Sequence, residues 1–230
     1  MQVSKIQLTE HIVAAHGPDH LYFALDIPHQ VISSAVLNGG ECFADHVVNM
    51  RVPEIECDDM TELPATTIAN YCLANGWHGA SVGMMTTASM KTFRMAENTT
   101  EGVKTAVLLT ADLGNARRAG DMAEHRHMAS TIEKTGTINI IIVTTAKLSA
   151  SALIECVQII TEAKAATLEE LNIKSPVSGL TATGTGTDSV AIINGQGPKM
   201  IEYCGKHMLF GEILAKLVMQ ALKQSLQSSG

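Results

Sequence analysis

Apolar residues recur along this 230-residue chain in two rhythms. Short runs rich in β-branched and aliphatic residues, at 21–27, 31–37, 103–110, 136–144 and 190–193, have the length and composition of strands. Pro28 separates the first two, and Asn38-Gly39-Gly40 supplies a turn into a third strand-like piece at 41–52. Together these three predict an antiparallel meander. Residues 80–87 carry a weaker strand pattern because their side chains are small. Residues 97–101 read as a polar turn, and 53–61 as acidic and irregular.

Other stretches follow the 3.6-residue period of a helix. Pro64 suits the first turn of a helix reaching about Leu73, with Asn75-Gly76 as its stop. Ser149 or Ser151 can cap a second helix that runs to Leu171. On it Leu153, Val157, Ile160, Lys164, Leu168 and Leu171 share one stripe. A third spans 205–226, with His207, Gly211, Leu214 and Val218 on one face. About eight strands grouped in runs, two long amphipathic helices and one shorter helix predict an α+β fold. Its sheet is mixed or largely antiparallel, and the helices cover it. No repeat, linker or low-complexity segment divides the chain, so 1–230 reads as a single domain.

Composition narrows the function. Hydrophobic content of 46% and charged content of 17% describe an ordered globular chain. A net charge of −7 and only 3% aromatics argue against a nucleic-acid partner, which calls for clustered cations or stacking platforms. No apolar run reaches membrane-spanning length, and residues 1–10 lack the apolar segment of a signal peptide. Five scattered cysteines without a Cys-x-x-Cys pair fit reduced thiols, and so a cytoplasmic protein. A homodimer is compatible with the apolar faces and required by nothing in the chain.

The densest candidate chemistry is Thr181-Ala-Thr-Gly-Thr-Gly-Thr-Asp188-Ser189, just before the apolar run at 190–193. It lacks the lysine of a P-loop and the third glycine of a dinucleotide fingerprint. Two readings remain: a glycine-rich hairpin, or the lip of a site in which exposed amides and hydroxyls meet a ligand. Lys164, alone on an apolar stripe, either snorkels out, the commoner outcome, or meets a buried partner. Glu162 points to the opposite side of that helix and cannot be the partner. His125 and His127, two apart, do not make a metal motif and read as a solvated loop. His207 is either a packed core residue or part of a groove.

Several blocks in order resemble the adenosylcobinamide amidohydrolases, the CbiZ family. They are Ser33-Ser34 with Asn38-Gly39-Gly40 and Asn49, then Asn115-Ala116-Arg117-Arg118-Ala119-Gly120-Asp121, then Gly136-Thr137-Ile138-Asn139. Thr161-Glu162-Ala163-Lys164, the stretch 182–188, and 203–212 with Gly205, His207, Gly211 and Glu212 complete the set. The resemblance covers about 21–221. In Met84-Met85-Thr86-Thr87-Ala88 the matching threonine is Thr87, and neither the first twenty residues nor 124–128 match any block.

The resemblance implies hydrolysis of the amide that joins an aminopropanol arm to a corrin ring. The protein would have no cofactor of its own, and cobalt would enter with the corrinoid substrate. Amide hydrolysis needs a base, an oxyanion site and an acid for the leaving amine. Asp188 or Glu162 is the candidate base, Lys164 or His207 the candidate acid, and the amides around Gly184 to Gly186 the candidate oxyanion hole. Ser34, Asn38, Gly39, Gly40, Asn49, Thr87, Asn115, Arg118, Asn139, Gly184, Thr185, Gly186 and Thr187 are candidates for binding substrate or fixing loops. A covalent route through Ser33, Ser34, Thr185 or Thr187 stays open, although no Gly-x-Ser-x-Gly elbow is present. A corrinoid carrier without catalysis, and a phosphate-handling enzyme using Gly184 and Gly186 as an anion nest, are the competing readings.

Overall fold

The computed structural model describes residues 4–53, 62–123 and 136–227. A hairpin, β1 (Ser4–Gln7) and β2 (Ile12–His16), leads into β3 (His20–Ser33), β4 (Gly40–Arg51), α1 (Pro64–Ala74) and β5 (Ser81–Thr86). A short 3-10 turn at Met90–Thr92 precedes β6 (Arg94–Thr100), β7 (Val103–Ala111) and β8 (Ala116–Arg117). There follow β9 (Ile138–Thr144), β10 (Lys147–Leu148), α2 (Ala150–Glu170), β11 (Gly184–Thr185), β12 (Ser189–Ile193), β13 (Met200–Ile201) and α3 (Leu209–Gln227). The α+β architecture and the mixed sheet agree with the sequence pattern.

Nine strands form one curled sheet in the order β1-β2-β3-β12-β9-β7-β6, with β4 beside β3 and β5 beside β4. The pairs β4–β5 and β9–β12 are parallel, and the remaining pairs in this sheet are antiparallel. Strand alternation sorts the apolar side chains into two cores. Leu108, Ile141, Val143, Ala191 and Ile193 face inward with Phe23, Val31, Val47 and Met84. Val107, Leu109, Ile140, Ile142 and Ile192 face outward beneath α2 and α3. Both faces of β9 are therefore buried, which explains why Ile140–Val143 is a continuous apolar run without visible alternation. Each such Ile or Val is worth about 1.5–3 kcal/mol of burial. Helix α1 covers a smaller patch, setting Ile68 and Cys72 on Val48 and Met50.

Several boundaries differ from the sequence expectation. The piece at 21–27 and the start of the piece at 31–37 are one strand, β3, which ends at Ser33, and Pro28 sits in the register break between Ala24 and His29. An unpaired bulge is where a strand tolerates a residue without an N–H. Strand β6 continues through Thr100, so the polar turn falls at Glu101-Gly102, where φ is 51° and 76°. Its polar outer residues hid an edge strand. The β1–β2 hairpin had no expected counterpart. Helix α3 begins at Leu209, one turn later than expected, because a Met208 N–H to Gly205 O bond closes a turn before it. His125 and His127 lie outside the described residues.

Candidate active site around Lys164 and Asp188

Helix α2 starts where Ser149 Oγ accepts from the Ala152 N–H at 3.0 Å. Four turns on, it delivers Lys164 to the base of the loop that precedes β12. Lys164 is only 8% exposed and does not snorkel. Its Nζ donates to Asp188 Oδ2. The same carboxylate accepts from Thr185 N–H (3.0 Å), Thr185 Oγ1 (2.5 Å) and Ile138 N–H (3.1 Å). Four donors meet an acceptor with about four lone-pair sites, so the carboxylate is saturated. Desolvating an ion pair is tolerable only with such complete satisfaction. Gly184 makes room for it. A Cβ there would collide with Asp188 Oδ2 and lie 2.9 Å from Lys164 Nζ.

Two neighbouring loops are bolted to this one. Strand β8 pairs antiparallel with β11, and Thr183 N–H donates to Arg117 O at 2.8 Å. The Gly186 N–H reaches Asn115 O at 3.3 Å, and Thr187 Oγ1 donates to Gly136 O at 2.9 Å. Gly136 has φ 129°, and a Cβ on it would stand 2.8 Å from the Asn115 backbone nitrogen, so a side chain is excluded twice over. Beneath them runs a buried polar chain. Thr137 Oγ1 lies within donor distance of Thr187 O (2.8 Å) and Asn139 Oδ1 (2.9 Å). Asn139 Nδ2 donates to Asn49 Oδ1 (2.7 Å) and Met85 O (2.8 Å), and Asn49 Nδ2 donates to Thr110 Oγ1 (2.9 Å). Asn49 and Asn139 are fully buried, so this chain draws β4 and β5 against β7 and β9 and fixes the curl of the sheet.

The other sequence candidates lie in four places. Ser34 clamps the start of β12: its Oγ accepts from Val190 N–H at 3.1 Å and meets Ser189 Oγ at 3.3 Å. Asn38 has φ 52° and ties its turn to β5 through Nδ2 to Ser81 O at 2.8 Å, with Gly39 and Gly40 completing the turn. Asn38 and Gly39 line a cavity of ≈ 320 Å³ beside Cys42 and the exposed Phe43. Arg118 Nη1 donates to Thr181 O at 2.8 Å, and Arg118 lines a second cavity of ≈ 320 Å³ with Asp121, Met122, Val177 and Leu180. There the Ser175 hydroxyl, then Ser178 and the Arg118 N–H, hold the Asp121 carboxyl below its ordinary range. The buried Thr87 hydroxyl has no hydrogen-bond partner among the described residues.

Two candidates stand apart from the Lys164–Asp188 pair. Glu162 is exposed and bound to Lys206 at 2.5 Å, on the side of α2 away from Lys164. His207 is exposed in the turn before α3 rather than in its first turn. The amides around Gly184 to Gly186 are not aimed outward either. Those of Thr185, Gly186 and Thr187 turn inward, to Asp188, Asn115 O and Thr185 Oγ1 (3.5 Å) respectively. In this conformation the loop forms neither an open oxyanion hole nor an anion nest. Thr137, although part of a block that carries the resemblance, and Thr110 were not among the expected site residues. For Thr137 the signal was present, a hydroxyl residue between Gly136 and the apolar start of β9. For Thr110, at the end of a β-branched strand, there was none.

The family model described as CbiZ, adenosylcobinamide amidohydrolase, matches residues 5–230. An adenosylcobinamide amidohydrolase of Methanosarcina mazei is 30% identical over 206 residues, covering 86% of this chain and 90% of that protein. An uncharacterized protein of Methanocaldococcus jannaschii is 41% identical over 95 residues, which is 41% of this chain and 37% of that one. Among solved structures, the PH0078 protein of Pyrococcus horikoshii aligns over 99% of this chain and 81% of its own, with a TM-score of 0.45 and 10% identity.

Proposed function

The chain belongs to the adenosylcobinamide amidohydrolase family, and from that premise we propose that it hydrolyses the amide joining the aminopropanol arm to the corrin ring of adenosylcobinamide. The products are adenosylcobyric acid and 1-aminopropan-2-ol, a step in corrinoid salvage towards adenosylcobalamin. Cobalt belongs to the substrate in this scheme.

The observation that carries the proposal is the desolvated Lys164–Asp188 pair beneath the Gly184 loop. A buried ion pair contributes little net stability over an apolar pair of the same shape, so its presence where three loops meet fits a chemical task. Asp188 takes the proton of the attacking oxygen. Lys164 gives one to the leaving nitrogen, and the proton on Asp188 passes to Lys164 across their hydrogen bond, restoring both groups. Glu162, held at the surface by Lys206, leaves the base role to Asp188. Asn49 and Asn139 hold the loops. Arg118 and the cavity beside it receive part of the corrin rim, whose methyl and carboxamide groups suit apolar walls with a few polar contacts.

The test is incubation with adenosylcobinamide and mass spectrometric detection of both products. Turnover abolished in Asp188→Asn and Lys164→Met supports the proposal. Corrinoid binding without turnover, unchanged in Asp188→Asn, identifies a carrier instead.

A further inference from the structure

Resting on the proposed amide hydrolysis, we infer that the attacking oxygen belongs to Thr185, so that the reaction passes through an ester on this chain. Every acceptor site of Asp188 is occupied, by Lys164 Nζ, Thr185 N–H, Ile138 N–H and Thr185 Oγ1. Three of these donors are nitrogens, two of them backbone. Among the described residues the only hydroxyl on the carboxylate is that of Thr185, at 2.5 Å. A water would have to displace one of the four to reach the base, whereas the Thr185 proton already points at it. Hydrogen-bond contact between hydroxyl and base is the arrangement a nucleophile requires. The Thr187 N–H, 3.5 Å from Thr185 Oγ1, stands on the same oxygen and favours the alkoxide as it forms. Ser34 Oγ, by contrast, serves Val190 N–H and Ser189, and Thr187 Oγ1 donates to a backbone carbonyl, so neither meets a base.

The steps balance. Thr185 Oγ bonds to the amide carbonyl carbon as its proton moves to Asp188. The carbon–nitrogen bond breaks, and the nitrogen leaves as the amine with a proton from Lys164, which Asp188 replaces. Water then attacks the ester, giving one proton to Asp188, and the acid departs as Thr185 regains its hydrogen.

Hydroxylamine and a Thr185 variant together decide between this route and direct attack by water, because hydroxylamine intercepts an ester as the corrin hydroxamate, whereas its direct attack on the amide would survive loss of the Thr185 hydroxyl. With adenosylcobinamide and hydroxylamine, the wild-type protein is expected to release aminopropanol and to divert part of the acid product into hydroxamate. Thr185→Val, which keeps the shape and removes the hydroxyl, is expected to bind the corrinoid but lose at least about a thousandfold in kcat. Thr185→Ser, which retains a hydroxyl, is expected to turn over more slowly than wild type but well above Thr185→Val, and still to form hydroxamate. Wild-type turnover giving acid without hydroxamate, or an active Thr185→Val, overturns the inference and leaves the amidohydrolase reading intact. A wild-type protein that releases no amine at all overturns both.

Discussion

Removing the two halves of the Lys164–Asp188 pair should cost unequal amounts. Lys164→Met takes away one donor and leaves Asp188 with three, from Thr185 N–H, Thr185 Oγ1 and Ile138 N–H. Asp188→Leu strands the buried ammonium and the same three donors together. Breaking a buried pair costs about 3–5 kcal/mol, and Lys164→Met belongs near the lower figure because the surviving charge stays solvated by the loop. Each stranded buried donor adds about 1–3 kcal/mol, so with three of them Asp188→Leu should lose at least ~3 kcal/mol more. For a chain of this size 1 kcal/mol is about 2–4 °C in Tm, which puts Lys164→Met roughly 6–12 °C below wild type. The double variant holds neither charge and should lose less than the sum of the singles. Urea unfolding at pH 7, with m-values checked for constancy, measures all three differences. Single variants of equal cost, or a larger loss for Lys164→Met, would refute the assignment of Asp188 as the hub.

Three further outcomes are expected. Gly184→Ala drives a methyl group into the pair, so turnover should vanish while unfolding shows a loss of only about 1–3 kcal/mol and circular dichroism is unchanged. Asn139→Ala leaves Asn49 Oδ1 and Met85 O without their donor, and at about 1–3 kcal/mol for each buried polar group urea titration should register a loss of roughly 2–4 kcal/mol. The Asp121 carboxyl titrates lower in the folded chain than in the unfolded one, so its stabilisation is present above the unfolded pKa of about 4 and disappears as pH falls through the folded value. The gap in Tm between wild type and Asp121→Asn should therefore hold from pH 7 to about 4 and close below that range.

The sequence made the helices legible because their caps and stripes are local. Pro64 and Ser149 mark α1 and α2, and Lys164 lies on the predicted face. The long third helix misled at its start, since Gly205 and His207 fit a first turn as well as the turn that precedes one. Strand order was not legible. It depends on β12 entering between β3 and β9, and no local pattern encodes a neighbour 150 residues away. At the site, the Gly184–Asp188 loop stood out by composition alone. The partner of Lys164 did not, because two charges 24 residues apart reveal nothing of their contact until α2 and β12 are packed. Asn49 and Asn139 were visible as polar residues in apolar runs, but their bond to each other is a product of the curl.

The late insertion of β12 bears on how the chain is made. Ser34 and Val190 are 156 residues apart, and Asn49 and Asn139 are 90 apart. Contacts of such separation form slowly because the chain between their ends must be ordered first. During synthesis β3 and β9 are finished before β12 leaves the ribosome, and β12 fills one edge of β9 and the edge of β3 at Val31–Ser33. The nascent chain thus carries two open apolar edges, the condition under which strands pair with the wrong neighbour. Asp188 immediately precedes β12, so the strand that closes those edges also seats the carboxylate on Lys164. Closing those edges and completing the site thus fall to one segment of the chain.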